Sequence, residues 1–168
     1  MEVFSALYAT AAVLLILAGG AKGFRPAATQ QLLKDLGVPS WPVMTHRRLV
    51  LGLGVVEVAL GVAGLVSKIS AVAVVTGAVY VAFAGVVTLA LRSGSASCGC
   101  FGRPDTPPTT AHVVVNLALG AAALVAATTK APLEVMAAQP VGGLGFVAVV
   151  GAAAGGLFVV LGGRVGSA

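Results

Sequence analysis

Long apolar runs, broken by short polar stretches, set the character of the chain. Five runs stand out, at about residues 3–21, 49–66, 69–91, 111–127 and 141–161. Each is close to the roughly 20 residues that a helix needs to cross a bilayer core. They are apolar all round, whereas the strands of a membrane barrel alternate apolar and polar positions. The pattern therefore predicts membrane helices. The first run opens with Glu2 and no Lys or Arg, so it lacks the positive start of a signal peptide and is read as an uncleaved helix.

The polar stretches have separate characters. Between runs one and two, Ala28, Leu32, Leu33 and Leu36 recur at helical spacing, with Gln30, Gln31, Lys34 and Asp35 on the other side. That predicts a short amphipathic helix in the interface. Gly37 and Pro39 end it, Pro42 prevents its resumption, and Trp41 stands where an aromatic anchor belongs. Run two carries Glu57, and Lys68 marks a very short turn. Residues 92–110 form a polar loop, ended by Pro107 and Pro108 with Thr109 or Thr110 placed to cap the next helix. A linker with Lys130, Pro132, Glu134 and Pro140 precedes the last run, and Arg164 follows it.

The expected fold is all-α, a polytopic membrane helix bundle within one integral domain. It has a four-helix core, a fifth C-terminal span, and the interfacial helix between spans one and two. Small residues such as Gly52, Gly54, Gly61 and Gly64 suit close helix packing, as do Gly151 and Gly155, for which dimerisation is the alternative.

Composition agrees. The 168 residues are 58% hydrophobic and 9% charged, too few charges to cover a water-soluble surface. The net charge of +5 would suggest nucleic acid in a soluble protein. Here the cations sit between apolar runs, so they are assigned to orientation and lipid headgroups, with no nucleic-acid partner. The side that holds loops one–two and three–four and the tail carries eight Lys and Arg, against two on the other. The positive-inside rule thus puts loop 92–110 in the cytoplasm.

Cys98-Gly99-Cys100 in that loop is the sharpest chemical feature. The intervening glycine relaxes crowding, so the sulfurs can approach bonding distance. A bridge closing so small a ring tends to be strained and therefore readily reduced, which suits exchange. Arg92 and Arg103 would favour thiolate. Two alternatives stay open: inert thiols, or a metal held by Cys98, Cys100 and His112, although no second cysteine pair completes a tetrahedral set. His112 and Asn116 are four apart and share a helix face at the loop end. His112 could relay a proton as a thiol titrates, or merely cap the helix. Asn116 could bond a quinone or a neighbouring helix. His46 sits at the same membrane level, for a ligand or for headgroups. Glu57, charged and deep in a span, is a functional candidate by default. It is expected to be protonated or bonded to backbone and hydroxyls such as Thr76 or Tyr80, and its use is equally a structural polar link or a proton or quinone role.

Cys98-Gly-Cys-Phe-Gly102 between a third and a fourth span resembles the MauE proteins of methylamine utilisation, which are placed near the DoxX-like membrane proteins. Ala18-Gly-Gly-Ala-Lys22, Phe24-Arg-Pro26, Leu36-Gly-Val-Pro39, Arg48 with Glu57, and Asn116 are similar to that group, over about residues 5–127. Where the family often has Arg before the Asn, this chain has Val115. The resemblance implies a plasma (inner) membrane protein that handles disulfides for exported proteins beside a thioredoxin-like partner. The layout is also similar to vitamin K epoxide reductase, which implies a quinone as electron acceptor and cysteines facing outward, against the charge count. The expected function is thiol–disulfide exchange by Cys98 and Cys100 with His112 assisting, and Glu57, Asn116 and His46 near the quinone. The rivals are a non-catalytic subunit of a larger membrane complex, and a small-solute carrier built on Glu57.

Overall fold

A computed structural model describes residues 2–39, 46–95, 107–128, 132, 134 and 148–157. All the described elements are helices: α1 (Glu2–Phe24), α2 (Ala27–Asp35), α3 (His46–Val66), α4 (Ser70–Ser93), α5 (Thr110–Ala126) and α6 (Ala148–Leu157). Three of them, within α1, α3 and α4, are long and apolar enough to cross a membrane; α5 and α6 are shorter apolar helices. At 1.5 Å per residue, α3 is about 31 Å long, which matches the hydrocarbon thickness. Large apolar side chains on the outer faces, among them Val55, Val56, Leu89 and Val114, are exposed and suited to lipid.

Local chemistry sets the ends. Arg25 precedes Pro26, a position that disfavours helix, and α1 stops at Phe24. At the end of α2, the Val38 N–H donates to the Leu33 carbonyl and the Gly37 N–H to Lys34, with Gly37 at φ +70. This is a Schellman cap, which needs the left-handed residue that glycine supplies. Gly94 at φ +67 closes α4 in the same way, and Ser95 N–H donates to Ala90. Thr109 caps α5.

The bundle is built on two antiparallel pairs. In the first, α1 packs on α3 with almost no side chain between the backbones. A Cβ added to Gly19 would stand 2.5 Å from the Gly54 carbonyl oxygen, and one on Gly61 would stand 2.6 Å from that of Ala12. In the second, α4 packs on α5, where Gly77 faces Leu124 and Gly120. A core of Ala11, Leu14, Leu15, Tyr80 and Leu119 joins the pairs, and the Tyr80 hydroxyl donates to the Ala11 carbonyl at 2.6 Å. Lys68, in the turn after α3, pairs with Glu134, beyond α5, which fixes these at one end of the bundle. At the other end the Ser95 hydroxyl donates to Asp35 of α2 at 2.8 Å.

The boundaries depart from expectation chiefly in α1. The first span does not end at residue 21: Lys22 lies within the helix and is buried. Its charge therefore leaves the count of loop cations, which makes the orientation signal weaker than the sequence suggested. Of the fifth span only 148–157 is described. Trp41, Pro42, the Cys98–Cys100 loop, Lys130, Pro140 and Arg164 lie outside the described residues.

Candidate functional site

The end of the bundle near α2 holds a half-open cavity with about 840 Å³ of empty space, part of it continuous with the outside. Its deep wall is hydrocarbon: Leu14 and Leu15 of α1, Leu119 of α5 and Tyr80 of α4. Phe83 and Val87 form the α4 side, and Thr29, Leu32 and Leu33 of α2 lie across the end. From α3 only Leu53 contributes. The amphipathic helix thus serves as a roof, with its apolar stripe turned inward. The polar groups on the lining are few: Lys22, Thr29, His112, Asn116 and Tyr80.

His112 is positioned by the start of α5. It occupies the third helical position after Thr109, and the two form a reciprocal capping box in which imidazole replaces the usual Glu or Gln. The Thr109 N–H donates to His112 Nδ1 at 3.2 Å, and the Thr109 hydroxyl lies 2.7 Å from the same nitrogen. An Nδ1 that accepts carries no proton, so the geometry assigns the proton of the neutral ring to Nε2. One turn on, the Asn116 amide donates to the His112 carbonyl at 2.7 Å. Both side chains are buried at the cavity wall.

Lys22 is the residue that sequence reasoning missed. Its Nζ donates to Glu57 Oε2 at 2.8 Å, and both side chains are at least 95% buried. It also lies 5.7 Å from the centroid of the Phe83 ring, within cation–π range. Side chains on a helix lean toward its N-terminus. Because α1 and α3 are antiparallel, Lys22 leans into the bundle while Glu57 leans toward the α2 end, and the two converge. Glycines make room for this: a Cβ on Gly19 would meet Glu57 Cβ at 3.0 Å, and one on Gly54 would meet Lys22 Cβ at 3.3 Å. A signal was present in the chain. Gly19-Gly-Ala-Lys22 and Gly54-Val-Val-Glu57 each place a glycine three residues before a charge, on facing helices.

Glu57 is therefore buried as expected, but its partner is an ammonium and not the Thr76 or Tyr80 hydroxyl. Those hydroxyls donate to Val72 and Ala11 carbonyls. Its second oxygen, Oε1, has no hydrogen-bond partner among the described residues. Glu57 itself is not on the cavity lining; Lys22 stands between it and the space. His46 also lies off the lining. Its Nε2–H donates to the Val38 carbonyl at 2.8 Å, which ties the start of α3 to the end of α2. Cys98 and Cys100 lie outside the described residues. The stems of their loop are described: Ser95, bound to Asp35, and Pro107–Thr109, leading into His112. Among the described residues no group of His, Cys, Asp and Glu is placed to hold a metal ion.

Compared with known families, residues 2–129 match the family described as methylamine utilisation protein MauE. No curated protein and no solved structure matches.

Proposed function

The chain belongs to the MauE family, membrane proteins in methylamine utilisation, and from that premise we propose that it is a thiol–disulfide exchange protein of the plasma membrane. Cys98 and Cys100 form its redox couple, and its partner is a thioredoxin-like protein that acts on exported substrates. In one half-cycle a thiolate of the partner attacks the Cys98–Cys100 disulfide and forms a mixed disulfide, which the partner's second thiol then breaks, so that the pair is left as two thiols and the partner as a disulfide. In the other the pair is reoxidised. A bilayer quinone supplies the chemistry for this, since it accepts the two electrons and two protons that two thiols release.

The support comes from the way the loop is anchored. Its first stem is bound through Ser95 to Asp35 of the cavity roof, and its second runs into the Thr109–His112 box at the cavity wall. A neutral imidazole at the same end can take and return the proton of a titrating thiol. The Gly between the cysteines permits their approach.

Each of Cys98→Ser and Cys100→Ser is expected to abolish exchange with the partner, and one of the two to trap a mixed disulfide. Full activity in both variants would overturn the proposal and leave a non-catalytic membrane subunit.

A further inference from the structure

The polar groups on the cavity wall are engaged within the protein. Lys22 is bonded to Glu57, Tyr80 to the Ala11 carbonyl, His112 to Thr109 and Asn116 to the His112 carbonyl. Thr29 is engaged as well. A polar ligand would have to compete for these groups or leave its own unpaired, at a cost. A hydrocarbon chain leaves every one of these bonds intact and gains contact with the Leu, Val and Phe side chains that make up the rest of the wall. The cavity also opens toward lipid. Leu53 on α3 and Val86 on α4 line it yet stay more than a third exposed. These two helices pack on α1 and α5 more than on each other. A chain that lies among the acyl chains of the bilayer enters there without crossing water.

The rim above that opening is cationic. His46 is bonded to Val38 and Ser95 to Asp35, so the start of α3 and the end of α4 both meet the end of α2. This gathers Lys34 of α2, Arg47 and Arg48 of α3 and Arg92 of α4 at one end of the bundle, all exposed. Among the described residues at that level the acid is Asp35, whose carboxylate takes the Ser95 hydroxyl and the Gln31 amide. At the opposite end Lys68 is paired with Glu134. The surplus of positive charge over negative thus lies on the end that holds the opening.

The depths agree as well. Leu53 is six residues past Arg47, and Val86 is six before Arg92. At 1.5 Å per residue, each wall of the opening lies about 9 Å below an arginine of its own helix. The headgroup layer of a bilayer is about 5–8 Å thick on each side. A phosphate at the level of the arginines therefore puts the upper part of its acyl chains at the level of the opening.

We infer that an anionic phospholipid binds at this end, with its phosphate on the rim formed by Arg47 and Arg92 and one acyl chain passing Leu53 and Val86 into the cavity. The positive rim selects an anionic headgroup over a zwitterionic one, and the apolar wall takes the chain. The inference stands apart from the redox reading, since neither the cysteines nor an electron carrier enters it.

The test is native mass spectrometry of the purified full-length protein, titrated in detergent with phosphatidylglycerol or phosphatidylcholine. The wild type should bind one phosphatidylglycerol saturably, at least about tenfold more tightly than phosphatidylcholine. Arg47→Gln/Arg92→Gln changes two exposed side chains and spares the packing. It should weaken phosphatidylglycerol about thirtyfold, the loss of two cations at about 1 kcal/mol each, and leave phosphatidylcholine as it was. Lys68→Gln, at the opposite end, should keep the wild-type affinity. Phosphatidylglycerol with a diazirine at mid-chain should crosslink to Leu14 or Leu119 on the cavity wall, and glycerol phosphate should not displace it. No preference for phosphatidylglycerol, equal affinity in the double-Gln protein, or an equal loss in Lys68→Gln would each overturn the inference. So would crosslinks confined to outer-face residues such as Val55 and Leu89, or displacement by glycerol phosphate, which would mark a site for soluble anions.

Discussion

The two faces of α1 are built in opposite ways. Toward α3 the helix meets its neighbour backbone to backbone, and Gly19, Gly54 and Gly61 admit no further atom. Toward α4 and α5 the same stretch of helix stands back and leaves a cavity lined by Leu14, Leu15, Ala18 and Lys22. In a bilayer, where hydrocarbon has no net drive from water into the bundle, close packing is the main source of helix association. The contrast shows that the open face is a local feature of a tightly held bundle. The tight seam also fixes Lys22 at the boundary between the two faces, with its anion on one side and the open space on the other.

The seam can be broken first. Gly54→Leu should be the most damaging change, since even a Cβ there would stand 2.8 Å from the Gly19 carbonyl oxygen. Overpacking of side chains costs about 1–3 kcal/mol, and a clash with backbone should exceed that. The expected outcome is loss of folded protein in detergent, read by thermal unfolding. Gly52→Ala, whose added Cβ meets nothing within 4 Å, is the control and should be neutral or stabilise by about 0.5–1 kcal/mol.

Breaking the ion pair comes next. Glu57→Leu leaves a buried ammonium without its carboxylate and should cost about 3–5 kcal/mol. Combining it with Lys22→Met should restore much of that loss, and a double-mutant cycle in detergent unfolding would measure the coupling. Additive losses would mean that the pair does not hold the two helices in register.

Smaller changes sharpen the comparison. Tyr80→Phe removes the hydroxyl that donates to Ala11 across the join between the helix pairs and should cost about 1–2 kcal/mol. Thr109→Ala removes the cap of α5 and should cost about 1 kcal/mol. The Thr109 change should also remove the hydroxyl contact to His112 Nδ1 while the backbone N–H donor stays, visible as a shift of the imidazole nitrogen resonances by NMR in the labelled protein.

The features legible from the chain are those set by neighbouring residues. The amphipathic α2, its Gly37 stop, the Thr109 cap and the apolar runs of α1, α3, α4 and α5 follow from local periodicity and turn chemistry. Glu57 announced itself as a charge inside an apolar run. Its partner did not, because Lys22 is 35 residues away and near enough to the end of a run to pass for a loop cation. Which residues face each other is decided by helix register, and register depends on the glycine seam, which local patterns do not express. The cavity was hidden for the same reason: its lining comes from five helices. His112 and Asn116 were correctly grouped on one face, while His46 proved to serve the α2–α3 connection through Val38.

The redox claim is tested most directly by labelling Cys98 and Cys100 with an alkylating reagent in opened membranes, where both faces are accessible, before and then after reduction. The account predicts little labelling before reduction and two labels per chain after it, with the protection restored when the reduced protein is returned to an oxidised thioredoxin-like protein or to a quinone. Two labels at the outset, unchanged after either oxidant, would contradict it.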